Sequence, residues 1–287
     1  MKRRVERANT EPYGSLYTPV RHDASPGPFD GPQDRRDHAS VHRILAGLTV
    51  LLFAITVLAN PAVAEAKPKP RPTPTPAPFV PGIDVSVHQG SIDWSRVAAS
   101  GKRFAFVRAS AGTLTADTRY AANRAGAGSA GLAVGSYHYG NPDSAPNDAA
   151  NEATWFLQHA TVASGDLIPV LDLEVSNGLD ASSLTTWAQT WLAQVTAATG
   201  VKPMIYTNRS FWSSSMADTD WFARNGYRVW IAHWTTASQP SLPAAGWGGL
   251  GWTFWQHSST GSVPGIVGNV DLDRFNGTSL PPTLFVP

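Results

Sequence analysis

The chain from Ile83 onward predicts an α/β fold on a largely parallel sheet, which eight strands can close into a barrel. Three observations carry this expectation. Apolar strand-like runs alternate with helical stretches five times. Three further strand-like runs follow on shorter connections. Each run then ends on polar side chains. No repeated sequence block is present.

The first strand is Gly82–Val87 (GIDVSV), and Asp93–Ser100 is a helix started by Asp93 and stopped by Gly101. Phe104–Ala109 (FAFVRA) is the second strand, and the helix over Tyr120–Ala130 is closed by Gly131. Ala133–Tyr139 (AVGSYHY) is the third, with a helix near Ala145–Ala163. Ile168–Val175 (IPVLDLEV) is the fourth, and Asp180 caps a helix that runs to Thr199 and stops at Gly200. Pro203–Thr207 (PMIYT) is the fifth strand. YRVWIAH, WTFWQH and VDLDRF, ending at His233, His257 and Phe275, are the closing three. The polar residues at these ends are Asp84, Arg108 and Ser110, His138, Asp172 and Glu174, Tyr206 and Asn208, His233, Gln256 and His257, and Asp271 and Asp273. In a parallel barrel the carboxyl ends of the strands converge on one face, where active sites are built. Eight polar ends in a row therefore predict a pocket.

The 287 residues contain no cysteine, which excludes a disulfide framework and a thiolate metal site. The formal net charge of +1 hides an asymmetry: residues 1–82 hold 11 Lys+Arg against 7 Asp+Glu, and the remainder 11 against 14. A mildly acidic globular part has no basic stripe for nucleic acid. Residues 1–40 are rich in Arg, Asp, Pro and Gly without periodicity, and predict a disordered extension. Residues 41–64 have the three parts of an export signal: His42 and Arg43, the 16-residue apolar run Ile44–Ala59, and Ala62-Val63-Ala64. An uncleaved membrane anchor is the alternative, although the run is short of the roughly 20 residues that span a bilayer. A start at or near Val41 would give this signal ordinary proportions. Residues 65–80, with proline at nearly every second position, predict an extended polyproline linker. Residues 81–287 are then the single globular domain of a secreted or cell-wall-associated monomer, which meets a membrane only through the signal or anchor.

Only two glutamates follow residue 82, Glu152 and Glu174, and Glu174 lies in an apolar strand two residues from Asp172. A period of two puts both carboxylates on one face. Paired carboxylates in a polar cleft suit glycosidic-bond cleavage, where one must stay protonated to donate to the leaving oxygen. A neighbouring negative charge from Asp172, Asp84 or Asp271 would raise the pKa of Glu174 and keep its proton on. A structural ion-pair network and a hard-metal site are the rival readings of the same spacing.

The motifs GIDVSVHQGSIDW, FVRASAG, GSYHYG, IPVLDLE, PMIYTN, WIAHW, WTFWQH and GNVDLDRF occur in this order over residues 82–276. Together they resemble glycoside hydrolase family 25, the Chalaropsis-type lysozymes or N-acetylmuramidases, and the form of the Val87-His88-Gln89-Gly90 segment resembles actinobacterial members. The resemblance implies a flattened, TIM-barrel-like fold of about five β/α units followed by three closing strands. It implies cleavage of the β-1,4 bond between N-acetylmuramic acid and N-acetylglucosamine in peptidoglycan, without metal or other cofactor. By motif, Glu174 takes the place of the general acid and Asp172 that of its partner. Asp84 and Asp271 take the places of two further pocket acids. Asp273 ranks lower, because many relatives carry Asn there. Ala109-Ser110-Ala111-Gly112 departs from the family's ATEG, with Ala111 where an acid is usual.

Tyr137, Tyr139, Tyr206, Trp234 and Trp255 lie at strand ends, as candidates to stack on sugar faces, with Gln256 and His138 as polar contacts. Trp155, Trp187 and Trp191 fall in helical patterns that suit core packing. Two other functions stay open at this point: a wall- or glycan-binding module with little catalytic power, and a glycosidase directed at chitin.

Overall fold

The computed structural model describes residues 79–287. The expected extension, export signal and most of the linker lie outside the described residues. Eight strands form the barrel: β1 (Val80–Val85), β2 (Phe104–Ala111), β4 (Ala133–Tyr139), β5 (Leu167–Asp172), β6 (Met204–Asn208), β7 (Val229–Ala232), β8 (Phe254–Gly261) and β9 (Val270–Phe275). The two-residue β3 (Thr115–Ala116) folds back antiparallel on the end of β2. Around the barrel the order is β1, β2, β4, β5, β6, β7, β8, β9, and β9 pairs with β1 to close the ring. Every neighbouring pair among the first seven is parallel, and β9 alone runs antiparallel to both its neighbours. The first residues of β9 therefore lie beside the carboxyl ends of the others.

The long helices keep the expected signals. Asp93 accepts from the Arg96 amide and starts α1 (Trp94–Ala99). Asp180 accepts from the Ser183 amide and starts α4 (Ala181–Thr199), which ends at Gly200 with φ 74°. A carboxylate cap of this kind is worth about 1 kcal/mol. Between them lie α2 (Tyr120–Ser129) and α3 (Asp148–His159), followed after β6 by the short α5 (Arg209–Ser215) and α6 (Trp221–Arg224). The segment Ala244–Gly248 winds left-handed at Ala245, Gly246 and Trp247. That backbone costs roughly 1–2 kcal/mol at each non-glycine position. The fully buried Trp247 anchors it, donating to the Tyr227 carbonyl at 2.8 Å and packing on Trp212.

Strand alternation divides the core into two clusters. Ile83, Val85, Ala105, Val107, Leu171, Leu173, Ile205 and Ile231 point outward and pack with Val97, Phe156, Leu184, Trp191 and Val195 of the helices. Phe104, Phe106, Tyr137, Val170, Met204, Tyr206, Trp230, Phe254 and Phe275 point into the barrel. The inner set is largely aromatic. Phe106 stacks on Trp230 at 4.6 Å, Tyr206 meets the same indole edge-on at 4.7 Å, and Phe254 abuts Phe104 and Phe106 at 4.9 and 5.1 Å. These rings make an apolar floor beneath the mouth. Phe79 packs against Trp252 and under Arg274, so the folded part takes in one residue before β1.

The floor fits because β1 and β4 carry glycines where its rings press on the strands. A Cβ on Gly82 would lie 2.3 Å from the Phe104 ring, and one on Gly135 2.5 Å from Phe106. Overpacking a core of this density typically costs 1–3 kcal/mol. Gly82→Ala should lower stability by about that amount, read as a fall in thermal midpoint with unchanged far-UV dichroism.

Candidate active site

The mouth is built from strand ends on opposite sides of the ring. On one side Asp84 of β1 sits directly opposite Asp271 of β9, and Asp273 lies opposite both Gly82 and Gln256. Three strands from β1 and four from β9 around the barrel, Asp172 closes β5, paired with Tyr139 of β4 and Tyr206 of β6. Glu174 follows two residues later, just past the last rung, where the Leu173 amide still donates to the Tyr206 carbonyl. Strand β5 thus ends earlier than Val175, yet Asp172 and Glu174 still share a side.

Hydrogen bonds tie the first side together. Asp84 Oδ2 accepts from Gln256 Nε2 at 2.8 Å. Gln256 Oε1 accepts from the Tyr206 hydroxyl at 2.9 Å and from Trp234 Nε1 at 3.0 Å. Asp273 Oδ1 accepts from Trp230 Nε1 at 2.9 Å. On the opposite side, Asp172 is buried and its Oδ1 has no hydrogen-bond partner among the described residues.

Burial above an apolar floor governs the charges. It pushes the Glu174 carboxyl up to about 7, with the Asp271 charge adding to the effect. It pushes Asp271 up to about 6. Asp172 is raised well above the usual carboxylate range by burial and then by Glu174, while the Arg108 guanidinium opposes the rise. Desolvation is thus the leading cause at every one of these groups, ahead of the like-charge repulsion expected between Asp172 and Glu174. Asp271, across the mouth, adds its like charge to Glu174, and Glu174 and Asp172 repel each other beside it. Glu174, pushed up to about 7, faces Asp271, pushed up only to about 6, which is the division an acid and a charge stabiliser require.

The model for glycosyl hydrolases family 25 matches residues 83–266. The chain belongs to that family. It is therefore a glycoside hydrolase with the family's closed α/β barrel. Among relatives, lysozyme M1 of Streptomyces globisporus is 37% identical over 209 residues, covering 70% of this chain and 69% of its own. An N,O-diacetylmuramidase of a Chalaropsis species is 31% identical over 208 residues, covering 67% of this chain and 96% of its own. The solved bacterial lysozyme of Streptomyces coelicolor superposes with a TM-score of 0.65 at 36% identity, over 70% of this chain and 93% of that one.

On this family 25 barrel, the residues singled out in the sequence fall into three groups. Asp84, Asp172, Glu174 and Asp271 meet at the mouth, with Tyr139 at its edge. Tyr137 and Tyr206 are buried beneath them as floor, and Gln256 is buried as the donor to Asp84. Trp234 stands at the rim with 62% of its surface exposed, the one ring of the set open to solvent. His138 and Trp255 do not belong to the site. His138 is fully buried between Phe156 and Trp191, bonded to Ser110 Oγ and Glu152 Oε2 at 2.8 Å each. Trp255 is fully buried on the helix side and donates to the His233 carbonyl. The reason is parity: each is one residue from an inward-facing neighbour, Tyr137 or Gln256, and so faces out.

Two more residues complete the electrostatics: Arg108, already among the polar strand ends but given no role, and Asp117, which was not singled out. Arg108 shares the inward parity of Phe104 and Phe106 and pairs with Tyr137 in the sheet. Its Nε donates to Asp117 Oδ2 at 2.9 Å, and that same oxygen accepts from the Val87 amide, just past Asp84. A lone arginine in the apolar run FAFVRA was the available signal. Asp117 had none, because β3 and the turn after it are too short to read. Among the described residues no group of three His, Cys, Asp or Glu side chains is arranged to hold a metal ion.

Because folding raises the Glu174 pKa from 4.5 to about 7, this group's stability contribution is full below the lower value and is lost as pH rises toward the upper. Glu174→Gln removes that loss. The variant should gain on the order of 2 kcal/mol over the parent at pH 8, and much less at pH 4, in paired thermal melts.

Proposed function

We propose that this chain is an exported muramidase that cleaves the β-1,4 bond between N-acetylmuramic acid and N-acetylglucosamine in peptidoglycan. The observation that carries the reading is the pair of carboxyl groups at the end of β5, Asp172 buried and Glu174 half-buried at the mouth, with Asp271 acting on Glu174 from β9 and burial pushing Glu174 up to about 7. The lysozyme and N,O-diacetylmuramidase names of the relatives support the choice of substrate. A glycan strand laid across the mouth passes between the β5 and β9 sides. Glu174 then donates its proton to the leaving oxygen, and ionised carboxyl groups stabilise the positive charge that develops on the sugar. The buried Tyr137 and Tyr206 keep the local dielectric low, so each charge acts more strongly than it would in water. Trp234 offers an aromatic face to a sugar ring at the rim.

The reading predicts new reducing ends on muramic acid when purified peptidoglycan is digested, and slower turnover of chitin. Reducing ends on glucosamine, or a preference for chitin, would overturn the substrate assignment. Glu174→Gln should lower turnover by about 10²–10⁴ while remaining folded, the usual worth of general acid–base help. Asp271→Asn should move the alkaline limb of the pH–rate profile to lower pH, since Glu174 then loses the like charge that holds its proton. A limb that stays in place would show that another group controls it.

Export rests on residues 41–64, whose basic flank, apolar run and Ala-rich end suit a cleaved signal. Among the described residues no helix is long and apolar enough to cross a membrane. The extracellular form should begin near residue 65 by N-terminal sequencing. A form that keeps residues 44–59 in the membrane fraction would favour the anchor.

A further inference from the structure

Asp273 is fully buried and lies outside the chemistry described so far. Its Oδ1 accepts from Trp230, but its Oδ2 has no hydrogen-bond donor among the described residues. A bare carboxylate oxygen in such a place is costly. The neighbour placed to act on it is the carboxyl of Asp84, diagonal to Asp273 on the adjacent strand. Asp84 pairs with Asp271 and Asp273 with Gly82, so the two acids are diagonal neighbours on one face of the β1–β9 ladder. Asp84 is also buried, and its Oδ2 is already held by Gln256. Two ionised carboxylates touching inside the barrel would repel with little screening. A single proton between them removes the repulsion and supplies the missing donor.

We propose that Asp84 and Asp273 form a buried acid pair sharing one proton, and that Asp273 is thereby the positioning residue that holds the Asp84 carboxyl in place beneath the mouth. The inference rests on reading that mouth as the active site. With Gln256 on one oxygen and the shared proton on the other, the plane of the Asp84 carboxyl is set from both sides. The pair carries one negative charge in place of two, beneath the acids that face the sugar. The charged and titratable groups around it are Asp271 on β9, Asp172 from β5, Tyr137 from β4 and Tyr206 from β6, with Lys102 acting on Asp273 from the loop before β2. Burial raises both members, Asp273 to about 8, so the pair keeps its proton at neutral pH.

The test uses the full chain and the variant Asp273→Asn. Asparagine can still accept from Trp230 through its oxygen, and its amide can donate permanently to Asp84 in place of the shared proton. The variant should fold, keep turnover close to the parent's, and lose one protonated-carboxyl stretch from the infrared spectrum at neutral pH. Its thermal midpoint should pull ahead of the parent's as pH rises from about 4 to about 8, because the parent loses stability over that window as its folded state retains a proton that the unfolded chain releases. Asp273→Leu, which offers Asp84 no donor, should lose turnover and shift the pH–rate profile. A folded Asp273→Asn with turnover as low as that of Glu174→Gln would overturn the proposal, since Asp273 would then act as a free carboxylate. An unchanged infrared carboxyl band would overturn it as well. If neither the parent nor any variant cleaves peptidoglycan, the active-site reading fails, while the infrared and melting results still decide whether the pair exists.

Discussion

Carboxyl groups from β1, β5 and β9 are forced together over a floor of aromatic rings, and the desolvation that follows shapes the rest of the molecule. A carboxylate held away from water must be neutralised, hydrogen-bonded or faced by a cation. Each solution occurs here. Glu174 and Asp271 are raised toward neutral pH, Asp84 is held by Gln256, and Asp172 feels Arg108. The supporting groups are fixed in turn. Gln256 is set by Tyr206 and Trp234, and Arg108 is tied to Asp117, which also gathers the backbone after β1. Polar side chains at the mouth thus form a network whose geometry the barrel strands dictate.

The floor makes this electrostatic arrangement possible. Phe104, Phe106, Trp230 and Phe254 fill the barrel below the acids, and the glycines of β1 and β4 give their rings room. With polar residues in their place, hydration would return the carboxyl groups to ordinary values and erase the difference between proton donor and charge stabiliser. Stability and chemistry therefore pull in opposite directions at one level of the barrel. Such a conflict is expected where a site has been built at the expense of local stability.

Much of this was legible in the chain. Alternation of strand and helix, with caps such as Asp93, Asp180 and Gly200, placed all eight barrel strands and the long helices to within a few residues. The acids were legible because a carboxylate inside an apolar strand is conspicuous. The errors with His138 and Trp255 arose from choosing residues by position at a strand end without holding to the period of two. Tyr137 and His138 cannot share a face, and neither can Trp255 and Gln256. The left-handed turn at Ala244–Gly248 had no local signal, since two alanines and a tryptophan adopt it only under tertiary packing.

By itself the sequence determined the fold class, the face on which the acids would gather and the identity of the paired carboxyl groups. Periodicity and capping are local properties of the chain. Only the closed barrel decided which charges act on which. It set Asp271 of β9 against Glu174, just past the end of β5, nearly a hundred residues apart in the chain but facing across the mouth. It buried Asp273 on the strand beside Asp84, and brought the Arg108 charge, bonded to Asp117, close enough to act on Asp172. Electrostatic energy depends on distance and surrounding dielectric, and both exist only once the strands have closed the ring.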